Sequence, residues 1–337
     1  MTHTHSTYHA IDVHTHVVPE NFPAYTGTTP DIPWPSMAPA HACHRHVMIS
    51  GKNYRTVSDG SWSVPRRIEG MNAMRVGKQV LSPMPELLSY WLPAEDARVL
   101  IRYLNDQIAA MVSAAPQSFY ALGAIPLQDM DMALRELEYV KTTLGFAGVE
   151  IATHVNGVSI GDARFEPFFA LAEKLGASIF VHALRPVGQD RIVGPLSEQA
   201  VAFPADIGMA AVAIITGGIA ARHPHLRIAF SHGGGALTMM LPRIAHAWRM
   251  VPKAKETMPE SPEVYAKKFF YDCVVFDPKL VKLLIESYGA SQILIGSDYP
   301  FAMGEGDPVG LLERSGLDAA VLRSITHGNA QRFLGLA

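Results

Sequence analysis

Short apolar runs alternate with stretches of helical period along most of this chain. Ala10–Val13, Lys78–Pro83, Tyr120–Pro126, Gly148–Thr153, Ser178–Ala183, Arg227–His232, Phe269–Phe276 and Gln292–Ser297 read as short strands. Between them, apolar positions recur every three or four residues over Arg66–Arg75, Pro93–Ala114, Asp131–Thr143, Glu166–Leu175, Ala236–Trp248 and Pro278–Tyr288, and helical patterns run on from Val309. Strands without clean alternation are buried on both faces, as in a parallel sheet covered by helices. Eight strand-and-helix units predict an α/β fold, a (β/α)8 barrel. A doubly wound open sheet is the competing reading. It usually carries a Gly-rich phosphate turn after the first strand, and none follows Val13.

Residues 20–65 break the rhythm. They are rich in Pro, Gly, Ser and aromatics and show no period, so they read as an irregular insertion after strand 1 over the barrel mouth. A single domain over residues 1–337 is expected, with residues 1–9 a flexible polar tail. The longest apolar run, Ile207 to Ala221, contains three glycines and stops at Arg222-His223-Pro224. It falls short of the ~18 residues that span a bilayer and reads as a buried helix.

Composition narrows the function classes. Hydrophobic residues make up 48% and charged residues 18%, which excludes intrinsic disorder. A net charge of −3 with no basic stripe argues against a nucleic-acid partner. Cys43 and Cys273 are the only 2 cysteines and cannot build a disulfide framework. With a polar N-terminus that lacks an apolar signal core, they predict a cytoplasmic protein.

Histidine changes the picture most: there are 15. In such barrels chemistry sits at the C-terminal ends of the strands. The first strand ends in His14-Thr15-His16, the fifth in His182, the sixth in His232 before Gly233-Gly234-Gly235, and the eighth in Asp298. Residues two apart on a strand share a face, so His14 and His16 can bind one cation. His182 and Asp298 would complete a set of N and O ligands suited to Zn²⁺ beside a polarised water. Each residue has a plainer reading: His182 as a core histidine, Asp298 as a turn residue, His232 as part of a tight turn. Their joint position at strand ends favours the metal. His3 and His5 repeat the spacing but lie in the tail. His41, Cys43, His44 and His46 fall in the insertion and read as a loop, with a second metal left open.

Ile11-Asp12-Val13-His14-Thr15-His16, His182, Ser231-His232-Gly233-Gly234-Gly235 and Gly296-Ser297-Asp298-Tyr299-Pro300-Phe301 resemble the amidohydrolase superfamily. The resemblance is closest to its metal-dependent decarboxylase branch, the aminocarboxymuconate semialdehyde decarboxylase type, and runs from about residue 11 to 335. Gly51-Lys52-Asn53-Tyr54-Arg55 and Gly328-Asn329-Ala330 extend it. It implies a distorted TIM barrel with one divalent metal per subunit, usually zinc, held by His14, His16, His182 and Asp298. It implies that His232 is the acid/base beside the metal, with Asp298 also catalytic. It implies that Arg55 holds a substrate carboxylate, joined by Arg243 from the partner subunit of a homodimer.

Departures from the pattern matter. The fourth strand carries no lysine, which favours one metal over two, and the direction of Glu150 is open. The segment after His182 lacks aromatic residues, so the substrate can differ from the typical one, with Arg185 as a new carboxylate contact. The expected function is a zinc-dependent, non-oxidative decarboxylase of a carboxylated muconate semialdehyde or a hydroxylated aromatic acid in ring catabolism. A metal-dependent hydrolase or hydratase on the same barrel is the nearest alternative, and a non-catalytic barrel the more distant one.

Overall fold

The computed structural model describes residues 9–195 and 198–336; the expected tail lies outside the described residues except for His9. In chain order the strands are β1 (Ala10–Val17), β2 (Pro35–Pro39), β3 (His44–Ile49), β4 (Lys52–Ser58), β5 (Val76–Pro83), β6 (Phe119–Gly123), β7 (Gly148–Ala152), β8 (His154–Val155), β9 (Val158–Ser159), β10 (Ser178–His182), β11 (Arg227–Phe230), β12 (Phe270–Asp272) and β13 (Ile293–Leu294). Eight of them form one sheet in the order β1-β5-β6-β7-β10-β11-β12-β13, with every pairing parallel. The segment after β13 returns to β1: Val13 N donates to Ile295 O at 3.0 Å, Asp298 N to His14 O at 2.8 Å and His16 N to Tyr299 O at 2.7 Å. The sheet closes into a (β/α)8 barrel, as the alternating pattern predicts. The last two barrel strands are shorter than the apolar runs that announced them, because the chain leaves the ladder early to carry Asp272 and Asp298 to the rim.

A layer of apolar side chains fills the barrel floor, with Ile11, Val13, Val80, Leu122, Phe180, Ala229, Phe270 and Leu294 drawn from seven of the eight strands and Phe333 entering from the C-terminal helix Asn329–Leu334. In β1 the inward face runs through Ile11 and Val13. The pairing with β5 then shifts register between Asp12 and Thr15. Across that irregularity His14 and His16 take the inward positions above the floor; a register shift re-aims side chains in this way.

The insertion is more regular than its sequence predicts. β2, β3 and β4 form an antiparallel sheet, with Val47 opposite Met37 and Arg55. Only Val47 and Val57 are buried in β3 and β4, and Pro35 and Pro39 bound the edge strand, so no alternation marks these strands. The apolar helix is longer than expected. A π-helical turn, Glu198–Ala202, leads into the α-helix Phe203–Thr216, and an 18-residue window of these 19 residues has mean hydropathy 1.5. By length and composition alone this segment is apolar enough to cross a bilayer. In the fold Ile207, Ala210, Ala211, Ile214 and Ile215 are buried in the core. Cys43 is exposed and Cys273 buried, and neither is in a disulfide.

Arg67 ties insertion, rim and barrel together. It is fully buried, and its guanidinium donates to Gly60 O at 3.2 Å, Thr15 Oγ1 at 3.1 Å, Gln79 Oε1 at 3.1 Å and His16 O. Arg67→Met should strand these buried acceptors and cost about 3 kcal/mol or more, read as a lower urea midpoint at unchanged slope. A loss below about 0.5 kcal/mol, the scale of ordinary surface changes, would show that the network does not bear on stability.

Candidate active site

Four side chains from three ends of the barrel sheet converge above the floor. One nitrogen or oxygen each from His14, His16, His182 and Asp298 lie within 4.8 Å of one another. Among the described residues this is the one such group of three or more donors. His14 Nε2 lies 3.1 Å from His16 Nε2 and 3.4 Å from Asp298 Oδ1, and His16 Nε2 lies 3.0 Å from the same oxygen.

The opposite edge of each ring explains why these nitrogens face inward. His14 Nδ1 is 2.6 Å from Asp272 Oδ2, His16 Nδ1 is 3.2 Å from Pro83 O, and His182 Nδ1 is 2.8 Å from Ala183 O. With those acceptors holding the Nδ1 proton, each Nε2 presents a lone pair to the centre. His182 Nε2 and Asp298 Oδ1 are buried and have no hydrogen-bond partner among the described residues. Buried polar atoms are almost always satisfied. Three imidazole nitrogens and one carboxylate oxygen fit one divalent cation, with a coordination position open toward the cavity.

The electrostatics agree. Burial works against a charged His14, but the hydrogen bond and charge of Asp272, aided by Asp298, outweigh it and raise the group to about 10. Burial also opposes the Asp298 carboxylate, yet His14 and His16 hold it well below the usual range. Asp272, fully buried, and Asp298, at the cavity's edge, thus call for positive charge at this point, and a metal competes with the proton for the same Nε2. Burial, with the neighbouring imidazoles, pushes His182 well down and His232 down to about 4.

Two carboxylates to which the sequence assigned no role build the rim, Asp272 outside the family-like motifs and Asp12 within the first of them. Asp272, at the end of β12, bonds His14 and accepts from Gly233 N and Val274 N, each at 3.0 Å. It therefore fixes a ligand and the turn that carries His232. That turn needs its glycines: a Cβ on Gly235, at φ 55°, would sit 2.0 Å from Pro204 O. Asp12 accepts from Ser297 N at 3.0 Å and from His14 N at 3.2 Å, so it fastens the Asp298 turn to β1. Burial raises its carboxyl to about 6. A lone Asp inside each apolar run was the available signal.

A cavity of about 420 Å³ opens above the donors. His182, His232 and Asp298 form its base, and Phe203, Phe276 and Phe301 give it apolar walls. The aromatic residues missing after His182 are thus supplied by other segments. Arg55 and Arg185 both line it, but differently. Arg185 lies 3.4 Å above the Trp91 ring, and its Nε and Nη2 both engage Glu86 Oε1, on a carboxylate only 2% exposed. Its charge is taken up there. Arg55 has no acidic partner among the described residues and lies 4.3 Å over Phe301, which stacks on His16 at 5.0 Å. Arg243 is exposed on the helix Leu237–Met250 and does not line the cavity. Of the histidine-rich insertion, His44 reaches the cavity wall and His46 bonds Thr56 Oγ1 at 2.8 Å.

Asp272→Asn, whose Oδ1 can still accept from Gly233 N and Val274 N but whose amide nitrogen can only donate toward His14 Nδ1, should weaken metal binding about tenfold to a hundredfold, measured by chelator competition. Unchanged affinity would mean that Asp272 serves only the Gly233 turn.

Comparison with known proteins follows the same lines. The amidohydrolase family model matches residues 11–336. The chain is 35% identical to 2-amino-3-carboxymuconate-6-semialdehyde decarboxylase of Dictyostelium discoideum over 328 residues, 97% of this chain and 91% of the relative. Among solved structures, 2,6-dihydroxybenzoate decarboxylase in complex with 2,6-dihydroxybenzoate superposes with a TM-score of 0.72 at 26% identity, over 80% of this chain and 87% of that one. The apo IDCase of Metarhizium anisopliae shares the fold over 99% of both chains, with a TM-score of 0.82 at 19% identity. This chain belongs to the amidohydrolase family, and along nearly its whole length it is similar to that family's decarboxylases.

Proposed function

We propose that the protein is a metal-dependent, non-oxidative decarboxylase of a small unsaturated carboxylic acid, either a hydroxylated aromatic acid or a carboxylated muconate semialdehyde. The observation that carries this reading is the cavity itself. It sets a buried three-histidine, one-aspartate donor set and a neutral imidazole at its base, aromatic walls at its sides and one uncommitted arginine at its wall. The names of the relatives support it. Zinc is the metal we assign, since three imidazoles and one carboxylate with an open position suit it.

When bound by His14, His16, His182 and Asp298, the metal supplies a positive charge that polarises substrate oxygen and lowers the pKa of water. The chain's own groups do the rest. The Arg55 guanidinium takes a substrate carboxylate by charge-assisted hydrogen bonds, with the ring against the apolar wall that Phe203 and Phe276 help to form. His232, kept neutral by burial, is a base at neutral pH. It takes a proton and returns it to the carbon that loses CO2, so no free carbanion forms. Asp298 borders the cavity with its side chain 13% exposed and directs that proton transfer. The balance is one carboxylate and one proton consumed, one CO2 and one C–H bond formed.

A homodimer with a shared site is part of the proposal. Met239, Arg243 and Met250 lie on one exposed face of the helix Leu237–Met250, and the two methionines are 79% and 68% exposed. The exposed methionines beside a cation support an interface on this face, from which Arg243 would reach the neighbouring site. Two free thiols agree with a cytoplasmic location.

His232→Asn should lower kcat about a hundredfold to ten-thousandfold with metal content unchanged. Full turnover would remove His232 from the chemistry. A screen of hydroxybenzoates and ring-cleavage acids should give CO2 with one solvent deuteron per product; product that gains the elements of water without CO2 release would make it a hydrolase or hydratase. Mixed Arg55→Ala and Arg243→Ala subunits should recover part of the activity that each lacks alone. No recovery after verified subunit exchange would contradict the shared site.

A further inference from the structure

Glu86 is a buried acid in the wall of the cavity. It lies in the short helical turn Pro85–Leu88 that follows β5, and its side chain is 2% exposed. An unpaired charge in such a place is costly. Arg185 offsets that cost: its Nε, at 2.9 Å, and its Nη2 both donate to the same oxygen, Oε1. The Tyr54 phenol, on β4, lies close enough to donate to the Glu86 carboxylate, and burial together with that charge pushes the phenol up. One carboxylate thus gathers β4, the turn after β5 and the segment after β10.

Arg185 is held to Glu86 by its own surroundings. Its backbone is left-handed, at φ 47°, a region that residues other than glycine rarely adopt. Such a conformation persists where neighbours impose it. Gly157 N donates to His154 Nδ1 at 3.0 Å, so Nε2 of that ring carries the proton and donates to Arg185 O at 3.1 Å. On the side-chain end, the guanidinium carbon lies 3.4 Å from the centre of the Trp91 ring, a stack that fixes its plane.

The Arg185 side chain is nonetheless 43% exposed and borders the cavity, with Nη1 outside both contacts to Glu86. A ligand there meets the edge of an ion pair, not a free cation. A carboxylate gains little net attraction, because the Glu86 charge stands directly behind the guanidinium. An uncharged hydroxyl or carbonyl oxygen can accept from Nη1 without that opposition. Arg55 differs, since no carboxylate lies within ion-pair distance of it among the described residues. Glu198, on the π-helical turn, acts on both arginines from beyond that distance, and burial with the Glu86 charge raises its carboxyl, which weakens it as a counter-charge.

We propose that Glu86 is a specificity-determining residue: by neutralising Arg185 it makes that part of the cavity a subsite for an uncharged oxygen substituent and leaves the substrate carboxylate to Arg55. This specificity rests on the cavity being a carboxylate site, and among the proposed substrates it selects a hydroxylated aromatic acid with one carboxylate.

Binding to the protein loaded with Zn²⁺, measured by calorimetry, tests it with three matched pairs of acids: 2-, 3- and 4-hydroxybenzoate against phthalate, isophthalate and terephthalate. Within each pair the second substituent changes from hydroxyl to carboxylate and nothing else changes. The parent should favour the hydroxy acid about tenfold or more in at least one pair. Glu86→Gln keeps an acceptor for Arg185 and removes the charge, and it should move that preference about tenfold toward the dicarboxylate. Glu86→Gln combined with Arg185→Gln should lose most of the shift, because the gain needs the freed guanidinium. A shift that survives in the double variant would make Glu86 a packing residue and overturn the proposal. A shift below about twofold in all three pairs overturns it as well. If Glu86→Gln does not fold, the parent decides: equal binding, or preference for the dicarboxylate, in every pair contradicts the proposal. A parent that binds none of the acids refutes the carboxylate site and this subsite with it, whereas a bound hydroxy acid that releases no CO2 refutes only the reaction.

Discussion

The structure depends on how three imidazole rings are held from behind. Each presents Nε2 to a common centre because its Nδ1 is committed to an acceptor of the barrel: the Asp272 carboxylate, the Pro83 carbonyl and the Ala183 carbonyl. Lone pairs 3.1 Å apart and a carboxylate oxygen 3.0 Å away repel unless a positive charge lies between them. The fold imposes that arrangement through groups that otherwise look structural. Asp12 pins the Asp298 turn to β1, Arg67 braces His16 O, and the register shift in β1 turns His14 and His16 inward after Ile11 and Val13 have filled the floor.

The same rim sets His232 apart from the donor group. The donors sit low and buried, while His232 lies beside them on a turn of glycines and borders the cavity. Its ring centroid is 5.0 Å from that of His182 and 5.3 Å from that of His14. It is close enough to sense their charge and, with its own nitrogens outside the donor group, free to exchange protons. Above it, the two arginines play unequal parts. Glu86 and Trp91 absorb Arg185, so the wall offers one positive charge within the chain rather than two. That asymmetry limits how many carboxylates a single subunit can hold.

The barrel was legible because its strands are buried on both faces and its helices on one, which writes period and punctuation into the residues. The donor histidines were legible because they end those strands. Asp272 was not: a single acid within the run Phe269–Phe276 looks like a strand residue until β12 is seen to stop there. The antiparallel sheet of the insertion was hidden for the opposite reason. Its strands are mostly exposed, so no apolar alternation marks them, and Arg55 reaches the cavity only because β4 pairs with β3. Arg185 read as a free carboxylate contact, since nothing in the sequence places Glu86 or Trp91 beside it. The direction of Glu150 depended on the register of β7, and in the fold it faces His16.

Anomalous diffraction across the zinc edge, from crystals of protein grown with zinc, tests the central claim most directly. One peak per chain is expected, in contact with Nε2 of His14, His16 and His182 and with Oδ1 of Asp298. A peak at His41, Cys43 and His44 alone, or none in the barrel, would contradict it.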